Sequence, residues 1–295
     1  MLYKYCAILV VVTALLLVCD SALAVFWPGE YSPVDARRSL HYANATFADI
    51  GALESWQCGA SCQATPSFQV TSILERNGAQ GPLAFVGVDK SNAQVVVALR
   101  GGVPQKDWFM HWRVKPVLFD ITSLCGLQCK VDASFQNGYL ALRRGIRAAV
   151  VRDLRENPGY DVLVTGHSFG AALAQLAAID LQAHVNRMFF VSKPVVSLYT
   201  FGMPLVGNRD FAVWAKQMLV RGSHFRITRG HDPVPRTPLH GMVDFQHVSS
   251  EVHCPDKVTT TCHVSVDDSG KSADVGMRGA HRRGVKMQDH FLYFE

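Results

Sequence analysis

The chain has 295 residues, 48% of them apolar and 18% charged, which excludes a disordered chain and allows a substantial core. A formal net charge of +5, from 29 basic against 24 acidic side chains, is too mild to imply a nucleic-acid partner.

Lys4 precedes an uncharged, mostly apolar run from Tyr5 to Cys19, and Ser21-Ala22-Leu23-Ala24 offers an A-x-A cleavage site. The run is shorter than the ~20 apolar residues of a membrane-spanning helix, and Asp20 ends it. A signal peptide over 1–24 is therefore predicted, followed by a single α/β domain over 25–295. The protein is expected to be secreted or held in the endomembrane lumen. Beyond the signal there are six cysteines: Cys58, Cys62, Cys125, Cys129, Cys254 and Cys262. In an oxidising compartment they point to three disulfides. Six cysteines allow fifteen connectivities, and the short gaps favour 58–62, 125–129 and 254–262. The rival use of the C-x3-C pairs is zinc, which that compartment disfavours, so no metal is expected. Asn44-Ala45-Thr46 is the one N-glycosylation sequon.

Residues 34–50 read as a helix with Leu40, Tyr42 and Ala43 on its apolar side. Residues 83–88 and 94–99 are β-rich runs joined by turn chemistry at 89–93, which predicts a hairpin. A helix over 136–156 stops before Asn157-Pro158-Gly159. A short strand over 160–165 leads into Gly166-His167-Ser168-Phe169-Gly170, and a strong helix former runs from Ala171 to near His184. Strand, G-x-S-x-G turn and helix form a nucleophile elbow, which holds a serine hydroxyl at an exposed apex. Both glycines are expected where a side chain would block the approach of helix to strand. Strands at 196–201 and 223–228 flank a helix at 209–219, and the last forty-five residues look irregular. Alternation of strands and helices predicts a mostly parallel sheet covered on both faces.

A serine hydroxyl needs an imidazole to take its proton and a carboxylate to orient that imidazole. On this scaffold the chain order is Ser, then Asp or Glu, then His. Of Asp180, Asp210, Asp232 and Asp244, the first lies on the elbow helix and the second is explained by helix capping. Asp232 follows a strand and opens a proline-stiffened loop, so it leads as the acid. His240, His247, His253, His263, His281 and His290 are the candidate bases. His290 stands out because Phe291-Leu292-Tyr293-Phe294 anchors it.

With these residues in view, the chain resembles the fungal-type class 3 triacylglycerol lipase family. That family's elbow, Gly-His-Ser-Leu-Gly-Gly-Ala-Leu-Ala, is similar to Gly166 through Ala174. Its Thr-Phe-Gly-x-Pro-x-Val-Gly-Asn is matched by residues 200–208, its Asp-x-Val-Pro-x-x-Pro by 232–238, and its His-x-x-Tyr-Phe by 290–294. The resemblance implies an α/β-hydrolase fold with a short helical lid, and Ser168, Asp232 and His290 as catalytic residues. It also implies an oxyanion hole built from the amides of Gly102 and Phe169. Gly102 departs from the family's Ser or Thr, and losing one donor of such a hole costs ~10²–10³ in rate. Asp132 and Ser134 depart from the family's Val-His-x-Gly-Phe. The resemblance places a lid at Val103 through Trp112, with Trp108, Phe109, Met110 and Trp112 as its apolar part; the alternative is a plain helix packed on the core. Residues 264–286 match nothing in the family. Their basic side chains, Lys271, Arg278, Arg282, Arg283 and Lys286, suit a solvated loop, with a patch for anionic lipid as the other use.

The expected activity is hydrolysis of carboxylic esters of lipids, foremost triacylglycerol, with no cofactor. The expected partner is a lipid–water interface, with peripheral membrane or lipid-droplet contact, and the protein is expected to act as a monomer. Alternatives on the same scaffold are a phospholipase, a feruloyl-type esterase, or an inactive relative that only binds lipid or glycan.

Overall fold

The computed structural model describes residues 29–76, 81–100, 113–190, 193–238, 244–255, 262–265 and 287–294. The predicted signal peptide, Gly102, the lid residues Val103, Trp108, Phe109, Met110 and Trp112, and the basic positions from Lys271 to Lys286 lie outside the described residues.

Among the described residues, eight strands form the main sheet. Helix α1 (Pro33–Ala45) and two single-turn helices, α2 (Ile50–Glu54) and α3 (Ala60–Ala64), lead into β1 (Phe68–Glu75). The hairpin β2 (Leu83–Asp89) and β3 (Gln94–Arg100) follows. Two short strands, β4 (Pro116–Leu118) and β5 (Lys130–Asp132), precede the long helix α4 (Ala133–Glu156). Next come β6 (Asp161–His167), α5 (Phe169–Met188), β7 (Val196–Phe201), β8 (Gly207–Asn208), α6 (Arg209–Met218) and β9 (His224–Arg229). Then follow β10 (Phe245–Gln246), β11 (Ser250–Cys254), β12 (His263–Ser265) and α7 (Met287–Phe291). The strand order is β1-β2-β3-β6-β7-β9-β11-β12, parallel from β3 through β11 and antiparallel at both ends. A second sheet, β10-β8-β5-β4, is antiparallel.

Strand side chains alternate between two cores, as the pleat requires. Val95, Val97 and Leu99 of β3 join Val162 and Val164 of β6 against α4 and α5. Val96, Ala98 and Leu163 point the other way and meet Leu40, Tyr42 and Ala43 of α1. Each central strand is buried on both faces, which explains its near-continuous apolar sequence.

Four details differ from the sequence reading. The first helix ends at Ala45, where the Thr46 hydroxyl donates to Ala43 O; Asp49 then caps a separate turn at Ala52 N. Strand β1 was not predicted: beyond Phe68 its side chains are mostly half-buried, without clean alternation. Asn208, not Asp210, caps α6, accepting from Phe211 N; Asp210 sits in the first turn. The final segment also holds β11 and β12 rather than being wholly irregular.

The structure joins Cys58–Cys62, Cys125–Cys129 and Cys254–Cys262. Asn44 lies near the end of α1, with Nδ2 donating to Ser61 Oγ at 3.0 Å. Among the described residues, no helix is long and apolar enough to cross a membrane.

Candidate active site

Strand β6 delivers its last residues into a turn so tight that Ser168 takes φ 58° and ψ −126°, a conformation that side chains other than glycine rarely adopt. The turn is held by Ser168 N–H donating to Phe201 O at 2.9 Å, and α5 begins at the next residue. A Cβ on Gly166 would lie 2.5 Å from Gly170 O and 2.9 Å from Leu99 O, so helix and strand close on each other only because that position is glycine. Strain of this kind persists where the surroundings over-determine it, here to project a hydroxyl beyond the sheet edge.

Two chain segments bring partners to that hydroxyl. His290, on α7, places Nε2 2.7 Å from Ser168 Oγ and Nδ1 2.9 Å from Asp232 Oδ2. A carboxylate can only accept, so Nδ1 of the neutral ring carries the proton and Nε2 accepts from the serine O–H. Asp232 is itself fixed: Oδ1 accepts from Val234 N–H at 2.9 Å, and Oδ2 also accepts from the Tyr293 hydroxyl at 2.8 Å. The other acids weighed from the sequence lie elsewhere. Asp180 is buried under Tyr139, Arg143 and Arg147, and Asp244 gives its backbone carbonyl to Arg209 N–H. His247 bonds Pro235 O and His253 bonds the Thr228 hydroxyl, while His240 and His281 lie outside the described residues.

Four residues that sequence reasoning left without a role support this cluster. Tyr293 Oη accepts from Arg229 N–H while donating to Asp232. Burial, then the charge of Asp232, push its phenol well above the usual range, so it remains a donor. Asp289 Oδ2 accepts from His231 N–H at 2.8 Å, tying α7 to the Asp232 loop. His167 bonds the His290 carbonyl through Nε2 at 2.9 Å and lies against the His290 ring, centroids 4.8 Å apart. Burial first, then the charge that His290 carries when protonated, hold His167 well below the ordinary histidine range, so His167 stays neutral. Gly202, at φ 58°, leaves room for both partners: a Cβ there would come within 3.1 Å of Asp232 Oδ2 and His290 Nδ1. In the sequence Tyr293 and Gly202 showed only as motif positions, Asp289 only as the neighbour of His290, and the His167 contact left no signal.

Phe169 opens α5 directly after Ser168, placing its amide at the positive end of the helix dipole, and its ring packs edge-on to Phe135 at 5.0 Å. Asp132 and Ser134 form an N-terminal cap for α4, with Asp132 Oδ1 accepting from Ser134 N–H at 2.8 Å. Among the described residues, no group of three His, Cys, Asp or Glu side chains is placed to hold a metal ion.

A family model described as "Lipase (class 3)" matches residues 96–242. The secreted mono- and diacylglycerol lipase A of Penicillium cyclopium is 33% identical over 222 residues, covering 71% of this chain and 65% of its own length. The secreted mono- and diacylglycerol lipase 1 of Fusarium solani is 31% identical over 216 residues, covering 72% of this chain and 60% of its own. The chain thus spans about two thirds or less of these relatives. A solved triacylglycerol lipase, its catalytic centre described as a serine protease triad, shares the fold with a TM-score of 0.75, 24% identity and coverage of 88% of this chain and 93% of that one. A mutant of the Penicillium cyclopium enzyme superposes with a TM-score of 0.72 at 24% identity, covering 90% and 97%.

Proposed function

The chain belongs to the class 3 lipase family, and we propose that it is a serine hydrolase of acylglycerol esters. The observation that carries this is the hydrogen-bonded line from Ser168 Oγ through His290 to Asp232, ending on a strained elbow. His290 Nε2 takes the hydroxyl proton as Ser168 Oγ bonds to the ester carbonyl carbon. The tetrahedral oxyanion is received by the amides of Phe169 and Gly102. As the intermediate collapses, the ester C–O bond breaks and His290 returns the proton to the departing alcohol. Water, deprotonated by the same imidazole, then releases the fatty acid and restores Ser168. Asp232 holds the ring in the required tautomer and stabilises its cation.

The names of the Penicillium and Fusarium relatives support partial acylglycerols as substrates alongside triacylglycerol. A signal peptide over 1–24 and action outside the cytosol are part of the same reading, as is a monomer working at a lipid–water boundary. A fluorophosphonate should label Ser168 covalently, and Ser168→Ala should lose both label and hydrolysis while keeping its thermal midpoint. Labelling at another residue, or hydrolysis surviving in Ser168→Ala, overturns the assignment; a folded, unlabelled and inactive parent protein favours the lipid-binding alternative. Emulsified tri-, di- and monoacylglycerols, a phospholipid and a soluble short-chain ester, assayed together, separate the substrate classes.

The segment around Trp108, Phe109 and Met110 serves in this reading as a lid. Exposing a few hundred Å² of apolar surface costs several kcal/mol in water at ~25 cal/mol per Å², a penalty that a lipid surface removes. Activity on a short-chain triglyceride should rise steeply above its solubility limit, and Trp108→Ser with Phe109→Ser should flatten the rise while sparing a soluble ester. Smooth saturation through the limit in the unmutated protein would favour a general esterase.

A further inference from the structure

The outer ends of α4 and α5 flank an open hollow of about 450 Å³, remote from the Ser168 cluster. Ala148, Val151 and Met188 give it apolar walls, extended by arginine methylene stems. Its charge comes from Arg147, Arg152 and Arg155 against a single lining acid, Glu156. Beneath it, Asp180 is fully buried and shared by Arg143 and Arg147, so two guanidinium groups rest on one carboxylate. Arg152 is held by Asp153, whereas Arg155 is exposed and pairs with no acid among the described residues. His184, also on the wall, is held below its ordinary range by burial and then by Arg147, with Arg143 and Arg187 acting in the same sense and Asp180 opposing.

An apolar recess with a cationic rim suits one anionic group on a short hydrocarbon. A bare phosphate would leave the apolar wall wetted, and a neutral acylglycerol would leave Arg155 without a counter-charge. We infer that this cavity binds the carboxylate end of a free fatty acid, a second site distinct from the one at Ser168. The inference rests on the proposed ester hydrolysis, whose acyl product has this chemistry. His184 lies sixteen positions beyond Ser168, roughly 24 Å at the helical rise. A bilayer docked on the arginines would therefore face away from the serine, which favours a free acid over a membrane headgroup as occupant.

Decanoate, below its micelle-forming concentration, can be titrated into the full-length Ser168→Ala protein and followed by backbone amide NMR shifts. Saturable shifts at Val151, His184 and Met188 are expected. Arg155→Glu should weaken them at least about fivefold, and Ala148→Trp, which fills the recess from an exposed position, should abolish them. In the Ser168 parent, both substitutions should leave hydrolysis of a soluble ester unchanged. Decyltrimethylammonium and inorganic phosphate should give no such shifts. Lack of saturation, an equal response to the cationic amphiphile, or binding indifferent to both substitutions overturns the inference. Phosphatidylserine vesicles that respond to Arg155→Glu when decanoate does not would also overturn it, assigning the surface to a headgroup. Decanoate binding in a protein that hydrolyses no ester would keep the cavity and remove the hydrolase reading; intact hydrolysis without binding would do the reverse.

Discussion

Asp232 Oδ2 accepts two hydrogen bonds at once, from His290 Nδ1–H and the Tyr293 hydroxyl, and the tyrosine oxygen also receives Arg229 N–H. Tyr293→Phe would leave that amide without its acceptor and shift the carboxylate's charge balance. It should cost ~1–3 kcal/mol in urea unfolding and lower kcat while leaving KM close to its parent value. Asp289 acts one step further out, setting the register of α7 against the loop that carries Asp232. Asp289→Ala should cut kcat by about 10–100-fold through misplacement of the imidazole, again with little change in KM. Asp289→Asn, which keeps an acceptor oxygen, should recover most of the loss. If instead KM rises and kcat holds, Asp289 shapes substrate binding and does not position His290. These contacts were illegible in the sequence because each joins residues about sixty positions apart through one hydrogen bond, which leaves no local pattern.

The element that organises the site is the β6–α5 elbow, and its tightest point is Gly166. Gly166→Ala would push a methyl against two backbone carbonyls, so it should destabilise the protein by about 3 kcal/mol or more and abolish fluorophosphonate labelling. Gly51→Ala is the control: its Cβ would come no nearer than 3.6 Å to Asp49 Oδ1, on a short exposed helix, so its thermal midpoint should hold or rise slightly. Equal losses from both would show that the elbow has no special demand for glycine. The elbow was legible because three signals coincide there: a buried β-run, the G-x-S-x-G turn and an alanine-rich helix. Strands β2, β3, β6, β7 and β9 were legible for a related reason, their continuous burial leaving continuous apolar sequence. Strand β1 offered less, since Gln69, Thr71 and Ser72 occupy an end strand that pairs on one side only.

Across the whole molecule, buried neutral histidines couple stability to pH. His224 is pushed down to about 4 by burial and then by Lys216, and His167 also lies well below the ordinary value. Unfolding returns both to a pKa near 6.5, so below that value the unfolded chain binds more protons than the folded one. Stability from these groups is therefore present above pH 6.5 and is lost as pH falls toward 4, by up to ~1.4 kcal/mol per pH unit for each histidine. Urea midpoints at pH 7.5, 6.0 and 5.0 should fall in that order, and His224→Gln should shallow the decline; an unchanged slope would remove His224 from the account.

The separation between Ser168 and His290 has a consequence for biosynthesis. The two residues lie 122 positions apart, yet their side chains touch. At translation rates of about 5–20 residues per second, the imidazole is made roughly 6–24 s after the serine. Throughout that interval the nascent chain carries a hydroxyl with no base to activate it. Under the function and signal peptide proposed above, the ester hydrolase is thus inert until His290 has been made. Nothing beyond the order of residues along the messenger is needed to impose that delay.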